Sequence, residues 1–203
     1  MELMQRTFDI GDWEWHERGD GRTIVGRMVP YNEVAEITER HKETGEIVTF
    51  REQFLPKSCM GMVQAAEQRG GNAGWIKLRI EHTDDFQSWV GYADSLRDAS
   101  DGGYATFRLY ESMDLDKVRS ILKETHHGLS VNFGARATPL MLDGVVSHRQ
   151  IHVEHVAATP VPCYSGAKIL AMRDGIDDAV SEIGTPHLDS VRAMLDEIRK
   201  VPV

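Results

Sequence analysis

The chain has 203 residues, 41% of them hydrophobic and 27% charged, with 23 basic residues against 32 acidic ones for a formal net charge of −9. A chain of this size buries roughly 70% of the surface it exposes when unfolded, so it needs no disulfide or metal staple, and its composition excludes both wholesale disorder and a membrane-embedded protein. The acidic balance and the lack of any Lys/Arg-rich run argue against nucleic acid as a partner.

Cys59 and Cys163 lie far apart and form no CxxC pair. That spacing speaks for a reducing compartment and against a cysteine zinc site. Met1 to Asp9 has no apolar signal core, and no apolar run approaches the length of a membrane helix. The expectation is a cytosolic product that is neither exported nor membrane-bound.

In chain order, Thr7 to Ile10 and Trp13 to Trp15 alternate briefly, the turn-rich Arg18 to Arg22 follows, and Thr23 to Val29 reads as a strand, which gives a hairpin-like opening. Tyr31 to Thr44 is polar and reads as a loop; Glu46 to Phe50 and Gln53 to Leu55 return to strand character. Pro56 and Ser58 introduce a helix from Cys59 to about Gln68, with Ser58 expected as its cap, and the Gly-rich segment Arg69 to Gly74 ends it. Ile76, Leu78 and Ile80 alternate on one face of a strand that delivers Glu81 and His82 at its end.

Trp89 to Ala93 and Tyr104 to Tyr110 read as two more strands around the turn Asp98 to Gly103, completing a β-meander. Asp114 caps a helix with Leu115, Val118, Ile121 and Leu122 at helical spacing, ended by Gly128 after His126 and His127. Leu129 to Ala137 is a strand carrying Ser130; Asp143-Gly144 marks a hairpin turn; Val145 to Ala158 is β-branched until Pro160 and Pro162. A chiefly β chain with two or three helices is expected. After about residue 170 the character changes: Asp174 to Asp178 is acidic, and Thr185-Pro186 opens an amphipathic helix bearing Leu188, Val191, Leu195 and Ile198. The chain therefore divides into a domain over residues 1–170 and a tail over 171–203.

Three features carry chemistry. His82 stands beside Glu81, Asp84 and Asp85; Ser130 lies in Gly128-Leu-Ser-Val-Asn-Phe-Gly134, which lacks the GxSxG elbow because position 132 is Asn; and His148, His152, Glu154 and His155 form a histidine-rich segment. On a helix the three histidines would converge on one face and suit zinc. On the strand that Val145, Val146, Ile151, Val153 and Val156 favour, His148, His152 and Glu154 share one face and His155 takes the other, which disfavours a three-histidine site. Alone, each feature has an ordinary structural reading. Together, His82, Ser130 and Glu154 supply a base, a nucleophile and an orienting group from three different strands.

From Gly26 to Ala167 the chain resembles the caudovirus prohead protease family, serine endopeptidases that trim capsid and scaffold precursors. Gly26-Arg-Met-Val-Pro-Tyr31 is similar to its opening strand, Phe50-Arg-Glu-Gln-Phe54 with Pro56 to its F-x-E-x-F-x-P element, and Arg79-Ile-Glu-His82 to its strand ending in the catalytic His. Trp89-Val-Gly91, Asp101 to Leu109, Gly128-Leu-Ser130-Val-Asn-Phe133 and Glu154 to Thr159 with Pro162 follow in the family's order. Asn132, His155-Val156 and Pro160-Val-Pro162 depart from its pattern.

The resemblance implies a mainly β fold with peripheral helices, an antiparallel β-barrel of the herpesvirus-assemblin type over residues 1–170. It implies a serine endopeptidase without cofactor or metal, in which Ser130 is the nucleophile, His82 the general base and Glu154 the third member. The related herpesvirus enzymes use a second His, and His152 and His155 are the alternatives here. Backbone N–H groups after Ser130 are the expected oxyanion donors. The implied substrates and partners are the major capsid protein precursor, the scaffolding protein and the chain's own tail (171–203), as a propeptide or scaffold-docking segment, with a homodimer acting in the host cytoplasm inside the prohead. Two alternatives stand beside this reading: a non-catalytic scaffold-associated assembly protein of the same fold, and a zinc-binding protein using His148, His152 and Glu154.

Overall fold

The computed structural model describes residues 21–40, 45–83 and 85–173. The first part of the expected hairpin-like opening, Thr7 to Trp15, and the acidic segment and amphipathic helix after Arg173 lie outside these residues.

Strands β1 (Thr23–Pro30), β4 (Lys77–Ile80), β5 (Trp89–Asp98), β6 (Gly102–Leu109), β7 (Gly128–Ala135), β10 (Ile151–Thr159) and β11 (Lys168–Arg173) close into a barrel in the order β1-β11-β7-β10-β4-β5-β6. A second sheet, ordered β2-β3-β9-β8, is built from β2 (Ala35–Arg40), β3 (Ile47–Phe54), β9 (Val145–His148) and β8 (Leu140–Leu142). Helices α1 (Met60–Glu67) and α2 (Leu115–Glu124) are peripheral. The fold is mainly β with a closed barrel, as expected.

A ring of seven strands cannot alternate direction all the way round, so at least one neighbouring pair must be parallel. Here that pair is β10 with β4, while the other barrel pairings are antiparallel. The position of this parallel pair has a functional consequence, because the chain that leaves β4 runs on beside the end of β10, with the Glu81 N–H donating to the Ala158 carbonyl.

The barrel fills with the apolar faces of its strands. Ile24, Met28, Leu78, Phe107, Leu129 and Val156 are all essentially inaccessible and belong to one continuous core. The alternation of Ile76, Leu78 and Ile80 put them on the inner face, as the sequence indicates: Ile76 and Leu78 are fully buried and Ile80 packs against the core. The second sheet is tied to the barrel by a buried polar cluster. Glu52 on β3 accepts from the Tyr164 hydroxyl at 2.6 Å and pairs with His148 Nε2 on β9 at 3.0 Å.

Several expectations need correction. The stretch from Tyr31 to Thr44 contains the strand β2, a polar edge strand paired with β3, with Ile37 partly buried. Its exposed polar faces hide it from a hydrophobic-pattern reading. The N-cap of α1 is Cys59, without a side-chain cap, whereas Ser58 is fully buried and its carbonyl accepts from the Ile151 N–H at 3.0 Å. α2 ends at Glu124 with Thr125 as its C-cap, so Gly128 starts β7 instead of stopping the helix. The stretch Val145 to Ala158 is two strands in two sheets. β11 runs to Arg173 and pairs with β1, which carries the barrel past residue 170.

Candidate functional site

Ser130 lies near the start of β7, where Ser130 pairs with Ala157 of β10 and Asn132 pairs with His155. Directly paired residues on antiparallel strands share a face, and residues two apart on a regular strand do as well. Ser130, Asn132, Ala157 and His155 therefore form one patch on the outside of the barrel, opposite the core residues Leu129 and Val156. Cβ atoms of such diagonal neighbours lie within about 8 Å, a gap that one imidazole ring can bridge.

That ring is His82. Its Nδ1 lies 3.0 Å from Nε2 of His155, with ring centroids 5.2 Å apart and planes inclined by 58°. Strict strand alternation would send His82 to the inner face after Ile76, Leu78 and Ile80. Glu81 breaks the alternation: its φ is +59°, a left-handed conformation uncommon for a side chain of this kind, while its N–H still donates to the Ala158 carbonyl at 3.0 Å. The reversal delivers His82 to the outer surface, beside β10. Glu81 itself is tied down by His126, whose Nε2 is 3.1 Å from Glu81 Oε1.

Glu154, expected from the sequence to orient His82, does not occupy that place. The β7–β10 register shifts between Val153 and His155, so Glu154 is the extra residue of a bulge and is exposed. The bulge returns His155, only 9% exposed, to the face that meets His82. His152 is partly buried farther along β10, where it pairs with Gly134. Two histidines three residues apart, His152 and His155, with opposite orientation on a regular strand were visible in the sequence, but a one-residue bulge is not, and it decides which of them meets His82.

The contact admits either ring as donor, and a role for His82 as base selects between them. If His82 Nε2 is to accept a proton from a hydroxyl, Nδ1 carries the hydrogen and donates to His155 Nε2, which makes His155 a neutral ring protonated at Nδ1. The His82 pKa lies below the ordinary histidine value of 6.5, chiefly because its ring is partly desolvated; Glu81 pulls it up and Arg79 pushes it down. A neutral orienting partner fits this direction, since a carboxylate at the same place would raise the pKa. The lowered pKa leaves His82 neutral at neutral pH, the form in which an imidazole can accept a proton.

Gly128 sets the entry to the serine strand. A Cβ there would lie 2.6 Å from Pro162 Cδ and 2.8 Å from the Thr159 carbonyl oxygen, so only glycine lets the segment after β10 cross over the start of β7.

The residues of the zinc alternative do not converge. His148 is on β9 and held by Glu52, His152 is on β10 in the other sheet, and Glu154 is exposed at the bulge. Among the described residues no group of three or more His, Cys, Asp or Glu side chains is placed to hold a metal ion.

No family model matches the chain, and no curated protein matches it. Among solved structures, it is similar to two room-temperature crystal structures of Kaposi's sarcoma-associated herpesvirus protease in complex with allosteric inhibitors. The identities are 13% and 14% and the TM-scores 0.41 and 0.40, over 89% of this chain and 91% of the herpesvirus chain in each case. The chemistry of the site rests on this chain's own residues.

Proposed function

We propose that this chain is a serine endopeptidase in which Ser130 is the nucleophile, His82 its general base and His155 the group that orients His82. The observation that carries the reading is the 3.0 Å contact between His82 Nδ1 and His155 Nε2, on the barrel face that also bears Ser130. His82 Nε2 takes the Ser130 proton as the hydroxyl attacks a peptide carbonyl, and returns it to the leaving amine; His155 holds the ring in the required tautomer and shares the imidazolium charge. A neutral His stabilises that charge less than a carboxylate does, so a slow enzyme is expected.

The resemblance of the ordered segments from Gly26 to Ala167 supports a finer reading. The protease trims the major capsid protein precursor, the scaffolding protein and its own tail during phage prohead maturation, inside the immature head in the host cytoplasm, as a homodimer. Neither nucleic acid nor membrane is a partner in this reading.

Intact mass after incubation at high concentration, alone and with capsid precursor co-expressed, tests it. Discrete truncation of precursor or tail in the wild type and none in Ser130→Ala is the expected result. Equal trimming in both, or none in either when precursor is present, would leave a non-catalytic assembly protein as the better reading.

A further inference from the structure

A second feature shares the outer face of β10 with His155. Between α1 and the far ends of β7 and β10 lies a cavity of about 460 Å3, lined among others by Arg69, Arg136, His152, Gln150, Trp75 and Met62. Arg69 lies over the Trp75 ring, with its guanidinium carbon 4.8 Å from the centroid, which holds the cation at the wall. The main chain of Arg136, just past the end of β7, is anchored by its backbone N–H, which donates to the Gln150 carbonyl at 2.9 Å, and its side chain lines the cavity. Both guanidiniums act on His152, lowering its pKa in addition to the larger effect of desolvation and against the opposing pull of Glu154. Two arginines converging on one concave site is notable in a chain whose formal net charge is −9.

From this convergence we propose that the cavity is a substrate subsite that receives a carboxylate side chain, Asp or Glu, of the polypeptide being cleaved. The inference rests on the protease reading and adds a specificity determinant to it. Guanidinium groups bind carboxylates through paired, charge-assisted hydrogen bonds, Gln150 and His152 can add neutral ones, and Met62 and Trp75 cover the aliphatic stem. His152 lies five residues before Ala157, the partner of Ser130, so at about 3.3 Å per extended residue the acidic side chain falls about four or five residues from the scissile bond.

The test uses the full chain carrying Ser130→Ala, titrated with a blocked, extended alanine peptide bearing one glutamate and with its glutamine counterpart, and read by tryptophan fluorescence. The expected result is about tenfold tighter binding of the glutamate peptide, with the preference abolished in an added Arg69→Gln/Arg136→Gln pair. Equal affinity for the two peptides, no binding of either, or a preference that survives in the double variant would overturn the proposal. Displacement of the glutamate peptide by an equal concentration of inorganic phosphate would also overturn it, marking a general anion site. Trimming of precursor by the wild type separates this claim from the one beneath it. Trimming without glutamate preference removes the subsite alone, whereas glutamate preference with equal trimming in wild type and Ser130→Ala removes the protease alone.

Discussion

At the scale of single residues, the site turns on two local departures from regular strand geometry. The left-handed Glu81 moves His82 from the inner to the outer face, and the bulge at Glu154 moves His155 to meet it. The kinetic consequence is a ranking. His155→Gln should lower kcat/KM for precursor cleavage by about two orders of magnitude or more, because His82 loses its tautomer partner, whereas Glu154→Gln at the exposed bulge should change it by no more than about twofold. Steady-state kinetics of the two purified variants checks this, and the reverse ranking would reinstate Glu154. The pH profile provides a second check. Because His82 titrates below 6.5, activity should hold as pH falls through 6.5 and decline only as it passes the lowered value. The sign for stability is the same: the unfolded chain takes up that proton at a higher pH than the folded one, so His82 removes stability as pH falls from 6.5 through its folded value. An activity limb at or above 6.5 would contradict the assignment of His82 as a partly desolvated base.

At the scale of elements, what could be read in the sequence was what burial writes into it. The strict alternation from Ile76 to Ile80, the Asp114 cap, whose carboxylate accepts from the Lys117 N–H at 3.1 Å, and the Asp143-Gly144 turn, with both residues at positive φ, are each set by neighbouring residues alone. The positions of His82, just past the end of β4, and of Ser130, near the start of β7, were legible for the same reason. Three features were not legible. β2 is polar and exposed, so nothing in its hydrophobicity marks it; Ser58 is claimed by a long-range bond from Ile151; and the bulge at Glu154 exists only in relation to β7. Gly128 connects this scale to function. Gly128→Ala should lower the denaturation midpoint and shift β7 where Ser130 begins, because its new methyl would meet Pro162 and the Thr159 carbonyl. Thermal unfolding together with precursor cleavage measures both, and a variant equal to wild type in both would show that the crossing relaxes freely.

At the scale of the whole molecule, an odd-stranded barrel and a smaller sheet are joined through a few buried polar groups. The barrel's parity places one parallel pair in it, and the parallel pair β4–β10 brings His82 beside His155. The joint to the second sheet is carried by Glu52, His148 and Tyr164, with Phe54 packed against Phe133, His148 and Tyr164 at centroid distances of 5.0, 5.5 and 5.1 Å. Burial, the hydrogen bond to Glu52 and the charge of Glu52 all push the Tyr164 pKa upward, so its hydroxyl remains a donor. Tyr164→Phe leaves a buried carboxylate oxygen without that donor and should cost about 1–3 kcal/mol of unfolding free energy, measured by urea denaturation at neutral pH. A loss below a few tenths of a kcal/mol would show that solvent or His148 replaces the hydroxyl.

The reading as a whole depends on one hydroxyl being made nucleophilic by one imidazole. The most direct test is to expose the full chain, co-expressed with capsid precursor, to a fluorophosphonate probe and to map the adduct by tandem mass spectrometry. A single phosphonylated site at Ser130, lost in His82→Ala and much reduced in His155→Gln, is the predicted result. An unlabelled Ser130, or labelling that persists unchanged when His82 is removed, would contradict it.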